Sequence, residues 1–266
     1  MNIKSAMYPR YCDSHTHVNF PQFEGREEEV ISEAREQGVW MINVGTSKTS
    51  SQKAIDIAER YDEGVYATVG VHPVDAAEGV VCKAGELRHL TLSNKVVGIG
   101  ECGLDFFHIY DEESKRRQRE AFVEQIELAN EAKLPLMLHI RSGKGGDAYA
   151  ETLALLKKYA AVPGNAHFFA GTEDNARDFL SLGFTLSFNG VLTITDDYNE
   201  LVTYPPLDAI LSETDAPYVA PKVIRGRENR PVYVTEAAHA IASLRPEDDD
   251  RVYEALFSNA RRVFSL

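Results

Sequence analysis

The chain has 266 residues, 44% of them hydrophobic and 26% charged, with a formal net charge of −13. That length is too great for a minimal scaffold, and a single domain over 1–266 is expected, because closed barrels of roughly 250 residues commonly form one unit. So acidic a chain is not one that coats long nucleic acid by bulk attraction, although a local site could still grip one phosphate through bound cations.

Strand-like runs alternate with helical patterns along the chain. The first half holds YCDSHTHV (11–18), VWMINVG (39–45), VYATVGVH (65–72) and VVGIGECG (96–103). The second half holds PLMLHIR (135–141), NAHFF (165–169), FTLSFNG (184–190) and AILSETD (209–215). These runs are short and mostly apolar or β-branched, as strands buried on both faces are. Helical patterns fall at 26–37, 47–61 and 112–133, and again at 232–244 and 254–264. In the third of these, Phe122, Ile126 and Ala129 recur at helical spacing and give a face that can cover a sheet. The seventh unit is the thinnest, since only DDYNELV (196–202) follows its strand. Strict β/α alternation implies a parallel sheet, and eight units at this length predict an α/β fold closed as a (β/α)8 TIM barrel. No GxGxxG follows the first run, which argues against a dinucleotide-binding sheet.

The opening MNIKSAMYPR does not read as a signal peptide. No apolar run approaches the roughly 18 residues that cross a bilayer. Cys12, Cys82 and Cys102 are too scattered for a disulfide framework or a zinc finger. A cytoplasmic protein away from membranes, monomeric or weakly oligomeric, is the expectation.

Barrel chemistry is carried by the carboxyl ends of the strands. Acids and histidines at those ends are His15 and His17 on the first run, Glu101 on the fourth, His139 on the fifth, His167 on the sixth and Asp215 on the eighth. Residues two apart on a strand share a face, so His15 and His17 project together, with Asp13 one step deeper as a possible orienting group. Burying such groups in an apolar barrel without partners is costly, and bound metal is the simpler account. Six ligands exceed the three that one open catalytic ion commonly takes, and two bridged ions accommodate them. Glu101 is the expected bridge, with His15, His17 and Asp215 on one ion and His139 and His167 on the other. Nitrogen and carboxylate donors suit zinc, manganese, iron, cobalt or nickel, and magnesium less well.

These residues sit in motifs that resemble the TatD-type metal-dependent deoxyribonucleases, a branch of the amidohydrolase-like barrels. The matching segments are DSHTH (13–17), GVHP (70–73), GIGECGLDF (98–106), LHIR (138–141), HFFAG (167–171), SETDAP (212–217) and SNARRVF (258–264). The resemblance implies metal ligands at His15, His17, Glu101, His139, His167 and Asp215, and implies that His72 and Asp105 line the site. It implies a hydrolase of DNA phosphodiesters, often a 3′ exonuclease, with some members acting on other esters. Ala170 stands where the family usually has a small hydroxyl residue, so a substrate contact there is in doubt.

Asp215 is the expected proton acceptor for the attacking water, and His72 the group that holds a phosphate oxygen or protonates the leaving group. Asp105 is expected to orient a ligand or His72, and Arg141 to contact phosphate or close a salt bridge. The loop 217–231 carries Lys222, Arg225, Arg227 and Arg230 and could gate an anionic substrate, with Arg227 a substrate contact. Phe106, Phe107 and Phe168 could stack a base, and Cys102 is expected to pack away from the site. DNA ends are therefore the expected substrate. A non-nucleic-acid ester, lactone, amide or aminoacyl ester on the same metals is the alternative, and a non-catalytic metal-binding scaffold the weaker one.

Overall fold

The computed structural model describes residues 9–80, 84–109 and 111–266, so Cys82 lies outside the described residues. Eight strands form one parallel sheet in sequential order. They are β1 (Tyr11–Thr16), β2 (Val39–Val44), β3 (Val65–Val69), β4 (Val96–Asp105), β5 (Leu136–Arg141), β6 (Gly164–Ala166), β7 (Thr185–Phe188) and β8 (Ile210–Ser212). The two ends of the sheet meet. Ser14 Oγ donates to Ser212 O at 2.9 Å and Ser212 Oγ to Cys12 O at 3.2 Å. Beyond the strands, Asp215 N donates to His15 O and His17 N to Ala216 O, at 2.9 and 2.8 Å. Side-chain hydroxyls thus close a seam that backbone ladders close elsewhere, giving the expected (β/α)8 barrel.

The surrounding helices are α1 (Glu27–Glu36), α2 (Lys48–Ala58), α3 (Pro73–Ala77), α4 (Ala84–Leu87) and α5 (Glu112–Ala132), then α6 (Ala148–Tyr159), α7 (Glu173–Ser181), α8 (Asn199–Thr203), α9 (Val234–Leu244) and α10 (Asp249–Phe264). Their starts are written locally: Ser47, Asp111, Asp147 and Thr172 each accept a backbone N–H from the first turn of α2, α5, α6 and α7. Phe122, Ile126 and Ala129 of α5 are fully buried, as their spacing predicts. The seventh unit is indeed slight, with only five residues in α8.

Cys12 of β1, Ile42 and Val44 of β2, Met137 of β5 and Leu211 of β8 form one cluster with Ala260 and Phe264. Side chains of non-adjacent strands meet this way only inside the cylinder, so α10 plugs its amino end. Burying one such phenyl contributes about 1.5–3 kcal/mol. Among the described residues no helix is long and apolar enough to cross a membrane.

Strand ends differ from the apolar runs. β6 stops at Ala166 and β8 at Ser212. Phe168 and Asp215 adopt left-handed backbone, with φ of 40° and 56°, and leave the ladder to turn towards the open end. The apolar run measures burial, which continues where the extended conformation does not.

Candidate metal centre

The six acids and histidines converge at the carboxyl end of the barrel, with Glu101 at the middle. Its Oε2 lies 3.5 Å from Nε2 of both His15 and His17. Its Oε1 lies 2.9 Å from His139 Nδ1, 3.0 Å from His167 Nε2 and 3.4 Å from His72 Nε2. Asp215 Oδ1 stands 3.4 Å from His17 Nε2 and 3.8 Å from His15 Nε2. The local backbone is built for this. The β4 register slips relative to β5 between Ile99 and Cys102. Gly100, at φ 145°, packs so closely that a Cβ there would fall 2.3 Å from Met137 O. Only glycine allows the strand to swing Glu101 inward at that point. Cys102 is buried in the apolar layer with Leu104 and Leu138, as expected of a packing residue.

Asp13 does not share the face of His15 and His17. The β1 register slips between Asp13 and Thr16, which interrupts the alternation. Its carboxylate instead accepts from Thr214 N at 2.8 Å, Thr214 Oγ1 at 2.5 Å and His15 N at 3.4 Å. Asp13 ties β1 to the segment after β8 and reaches no imidazole.

Acceptors behind the rings set which nitrogens face the centre. Val44 O, which can only accept, lies 2.9 Å from His17 Nδ1, so that nitrogen carries the proton and Nε2 offers a lone pair. Asp105 Oδ2 lies 2.8 Å from His139 Nε2, which leaves the Nδ1 lone pair facing Glu101. Ring nitrogens are crowded together there: His15 and His17 Nε2 are 3.1 Å apart, and His139 Nδ1 and His167 Nε2 are 3.3 Å apart. The rings of His15 and His167 stack at 3.7 Å. Two sets of three, His15–His17–Asp215 and His15–Glu101–His167, each hold their donor atoms within 4.8 Å. Buried nitrogens and carboxylate oxygens aimed at common points fit divalent cations of the zinc and manganese type.

The electrostatics divide. Burial opposes a charge on His139 and His167, but Asp105 and Glu101 push the first up and Glu101 pushes the second well above its usual range. A bound cation would have to displace a proton there. Burial opposes the charge on Glu101, but the imidazoles of His72, His15 and His167 and the bond from His139 outweigh it and hold the carboxyl well below its usual range. Burial, reinforced by His167, pushes His15 down, which favours the neutral ring that a metal requires.

His72 is different. Its Nδ1 accepts the Val74 N–H at 3.2 Å, so the ring proton resides on Nε2, which points to Glu101. Its distances also admit a ligand set with Glu101 and His139. A protonated nitrogen has no lone pair to give, however, and we read His72 as a donor at the mouth.

Above these groups opens a cavity of about 620 Å³, lined among others by Phe20, His72, Arg141, Phe168, Tyr198 and Tyr218. Arg141 lies on the wall with its guanidinium 3.8 Å over the Phe107 ring, and among the described residues no carboxylate comes within salt-bridge distance of it. Phe107 is 38% exposed and Phe168 lines the cavity, whereas Phe106 is fully buried and cannot stack a base. Ala170 presents only a methyl to the wall. The loop 217–231 reaches the cavity through Tyr218 and Val219, while the cations of the expected gate do not line it. Arg230 pairs with Glu29 and Glu33 of α1, and exposed Lys222, Arg225 and Arg227 are absent from the lining.

Two acids were not singled out by sequence. Glu213, fully buried, accepts from Phe168 N at 2.8 Å, Ser187 Oγ at 2.5 Å and Asn189 Nδ2 at 3.3 Å, and stands 3.6 Å behind His167 Nδ1. A charge two residues before Asp215 in an apolar run was the available signal. Asp75 lines the cavity beside His72, and burial lifts its carboxyl above the usual range. It lies past the third strand in a helical turn, where strand-end filtering does not look.

A (β/α)8 barrel with such a cluster at its carboxyl end defines a metal-dependent hydrolase. The particular family follows from comparison: the profile described as TatD related DNase matches residues 12–265, and the chain belongs to that family. It is 35% identical over 259 residues to the uncharacterized metal-dependent hydrolase YabD of Bacillus subtilis, covering 96% of this chain and 98% of that one. It is 37% identical to the 3′-5′ ssDNA/RNA exonuclease TatD of Cronobacter sakazakii, covering 93% and 95%. Among solved structures it is similar to YjjV, a TatD homolog from Escherichia coli K12, with a TM-score of 0.86 at 29% identity, covering 97% and 98%.

Proposed function

We propose that this hydrolase removes nucleotides from the 3′ ends of nucleic acid, DNA foremost, using two divalent ions held by His15, His17, Glu101, His139, His167 and Asp215. The observation that carries the reading is the division of Glu101: one oxygen faces His15 and His17, the other faces His139 and His167. A carboxylate so placed could serve both sets of histidines if two ions were bound. Asp215 completes the first set. Zinc, manganese, iron, cobalt and nickel suit these donors, and magnesium suits them less.

When bound, such ions acidify water and offset charge that develops on a phosphoryl oxygen. The chain's own groups do the rest. Asp215 keeps Oδ1 towards the histidines and uses Oδ2 to accept the proton of the attacking water. His72 offers Nε2–H to a phosphate oxygen or to the departing oxygen. Asp105 fixes the His139 ring, and Arg141 supplies a cationic wall. Relatives named as 3′-5′ ssDNA/RNA exonucleases support the substrate and its polarity. Every proposed ligand comes from one chain, which supports a working monomer or weak oligomer in one barrel domain. A substrate drawn from cellular nucleic acid favours the cytoplasm.

The test is a digest of a 5′-labelled single-stranded oligonucleotide with magnesium, manganese or zinc, run beside a panel of carboxylic esters and lactones. The expected result is a ladder that shortens from the 3′ end with a transition metal. An intact oligonucleotide beside hydrolysed esters would overturn the nuclease reading in favour of the small-ester one.

A further inference from the structure

The geometry points to a second binding element on the rim: Arg141 stacked on Phe107, with Lys144 beside it, seats a phosphate of the strand beyond the bond that is cut. This rests on the nuclease reading and adds to it a site that distinguishes a polynucleotide from a small diester.

Arg141 follows His139 by two residues at the end of β5, and its guanidinium lies 3.8 Å over the Phe107 ring centroid. Stacking occupies the flat face and leaves the N–H donors free in the plane, the arrangement that suits a phosphate. Among the described residues no acceptor takes them. Arg116, Arg119, Arg177, Arg230 and Arg245, by contrast, are all committed to carboxylates.

Lys144 is exposed at the tip of a turn closed by Gly143 N to Gly146 O at 3.2 Å and Gly146 N to Gly143 O at 3.1 Å. Among the described residues it too has no carboxylate partner. The turn is seated on the Phe107 segment. Gly145 N donates to Phe106 O at 3.2 Å, and a Cβ on Gly143 would fall 2.6 Å from Phe107 Cα. On Gly145 it would fall 2.0 Å from Ile109 O. Glycine alone permits that contact, which seats the turn that bears Lys144 against the Phe107 segment.

In a chain of net charge −13, two cations beside the mouth with no carboxylate within salt-bridge distance among the described residues offer a polyanion a local attraction. The wall is also joined to the metal centre. Asp105 Oδ1 accepts Phe107 N–H at 2.9 Å while Oδ2 accepts from His139 at 2.8 Å. A strand held on the rim is therefore held in register with a metal ligand.

The experiment follows binding of a short labelled single-stranded phosphorothioate oligothymidylate to the metal-loaded protein by anisotropy, across a salt series. Each phosphate contact on a single strand contributes about 0.7 to the slope of log affinity against log salt. Arg141→Gln and Lys144→Gln should each reduce that slope by about 0.7, with affinity falling in step. Lys158→Gln, on the far end of α6, should leave it unchanged. Turnover of a small chromogenic phosphodiester should stay within about twofold in Lys144→Gln, because its contact lies beyond the cut bond. A wild type that binds and cuts the strand while both variants keep its slope would overturn the rim site and leave the nuclease reading standing. Equal losses on strand and small diester in that variant would overturn it too, by placing the contact at the reacting phosphate. A wild type that neither binds nor cuts the strand would overturn both.

Discussion

Asp105 and His139 form the best-defined ion–ring contact of the site: Asp105 Oδ2 lies 2.8 Å from His139 Nε2, and the other ring nitrogen faces Glu101 Oε1 at 2.9 Å. Burial works against the charge on Asp105, but the bond to His139 prevails and holds its carboxyl below the usual range. A charged acceptor on one side of an imidazole fixes the lone pair on the other, so Asp105 decides which nitrogen His139 presents.

Asp105→Asn keeps the shape but can present an amide donor where the ring proton was received, which favours the opposite tautomer. Metal affinity should fall about 10- to 100-fold, with activity falling alongside. Titration against a competing chromogenic chelator measures the first and the digest measures the second. Wild-type affinity in this variant would show that His139 is not held as described.

Asp215→Asn should separate holding from reacting. One carbonyl oxygen can still face His15 and His17, yet the amide accepts no proton from water. Metal content should persist while turnover falls by about 10²–10⁴, the usual worth of a positioned base. Metal analysis of the purified variant and single-turnover rates decide this, and undiminished turnover would remove Asp215 from the role.

Much of this was legible because the barrel rule ties chemistry to strand ends: His15, His17, Glu101, His139, His167 and Asp215 could be gathered by that filter alone. What escaped the reading arises from backbone detail that periodicity does not encode. Ideal alternation puts Asp13 with His15, but a one-residue slip in β1 sends it to Thr214. Paired aromatics look alike in sequence, yet Phe106 is sealed in the core and Phe107 stands on the rim. Charge density made 217–231 look like a gate, whereas Arg230 is consumed by α1.

Removing the metal should cost stability as well as activity. A ligand at about 100 times its dissociation constant stabilises the folded state by about 2.7 kcal/mol. Chelation should therefore lower the melting temperature by several degrees, at roughly 2–4 °C per kcal/mol for a chain approaching this size. Calorimetry with and without chelator measures it, and Glu101→Gln should shrink the difference, since its neutral amide cannot bridge cations. A melting temperature indifferent to chelator would argue that the ligands do not share an ion in the folded state.

Glu213 makes the sharpest stability prediction, because its carboxylate answers several donors at once in a fully buried place. Glu213→Ala would strand the Phe168 N–H, the Ser187 hydroxyl and the Asn189 amide. Each buried polar group left unpaired costs about 1–3 kcal/mol, so destabilisation of at least about 3 kcal/mol should appear in denaturant melts. Glu213→Gln keeps one acceptor oxygen for Phe168 and should recover a large part of that loss. The Phe168 bond matters most for function. It steadies a left-handed residue immediately after His167, and losing it frees the His167 ring to rotate away from Glu101. Glu213→Gln should therefore hold metal better than Glu213→Ala by chelator titration. Equal metal affinity in the two variants would mean that the network supports the fold without steering the ligand.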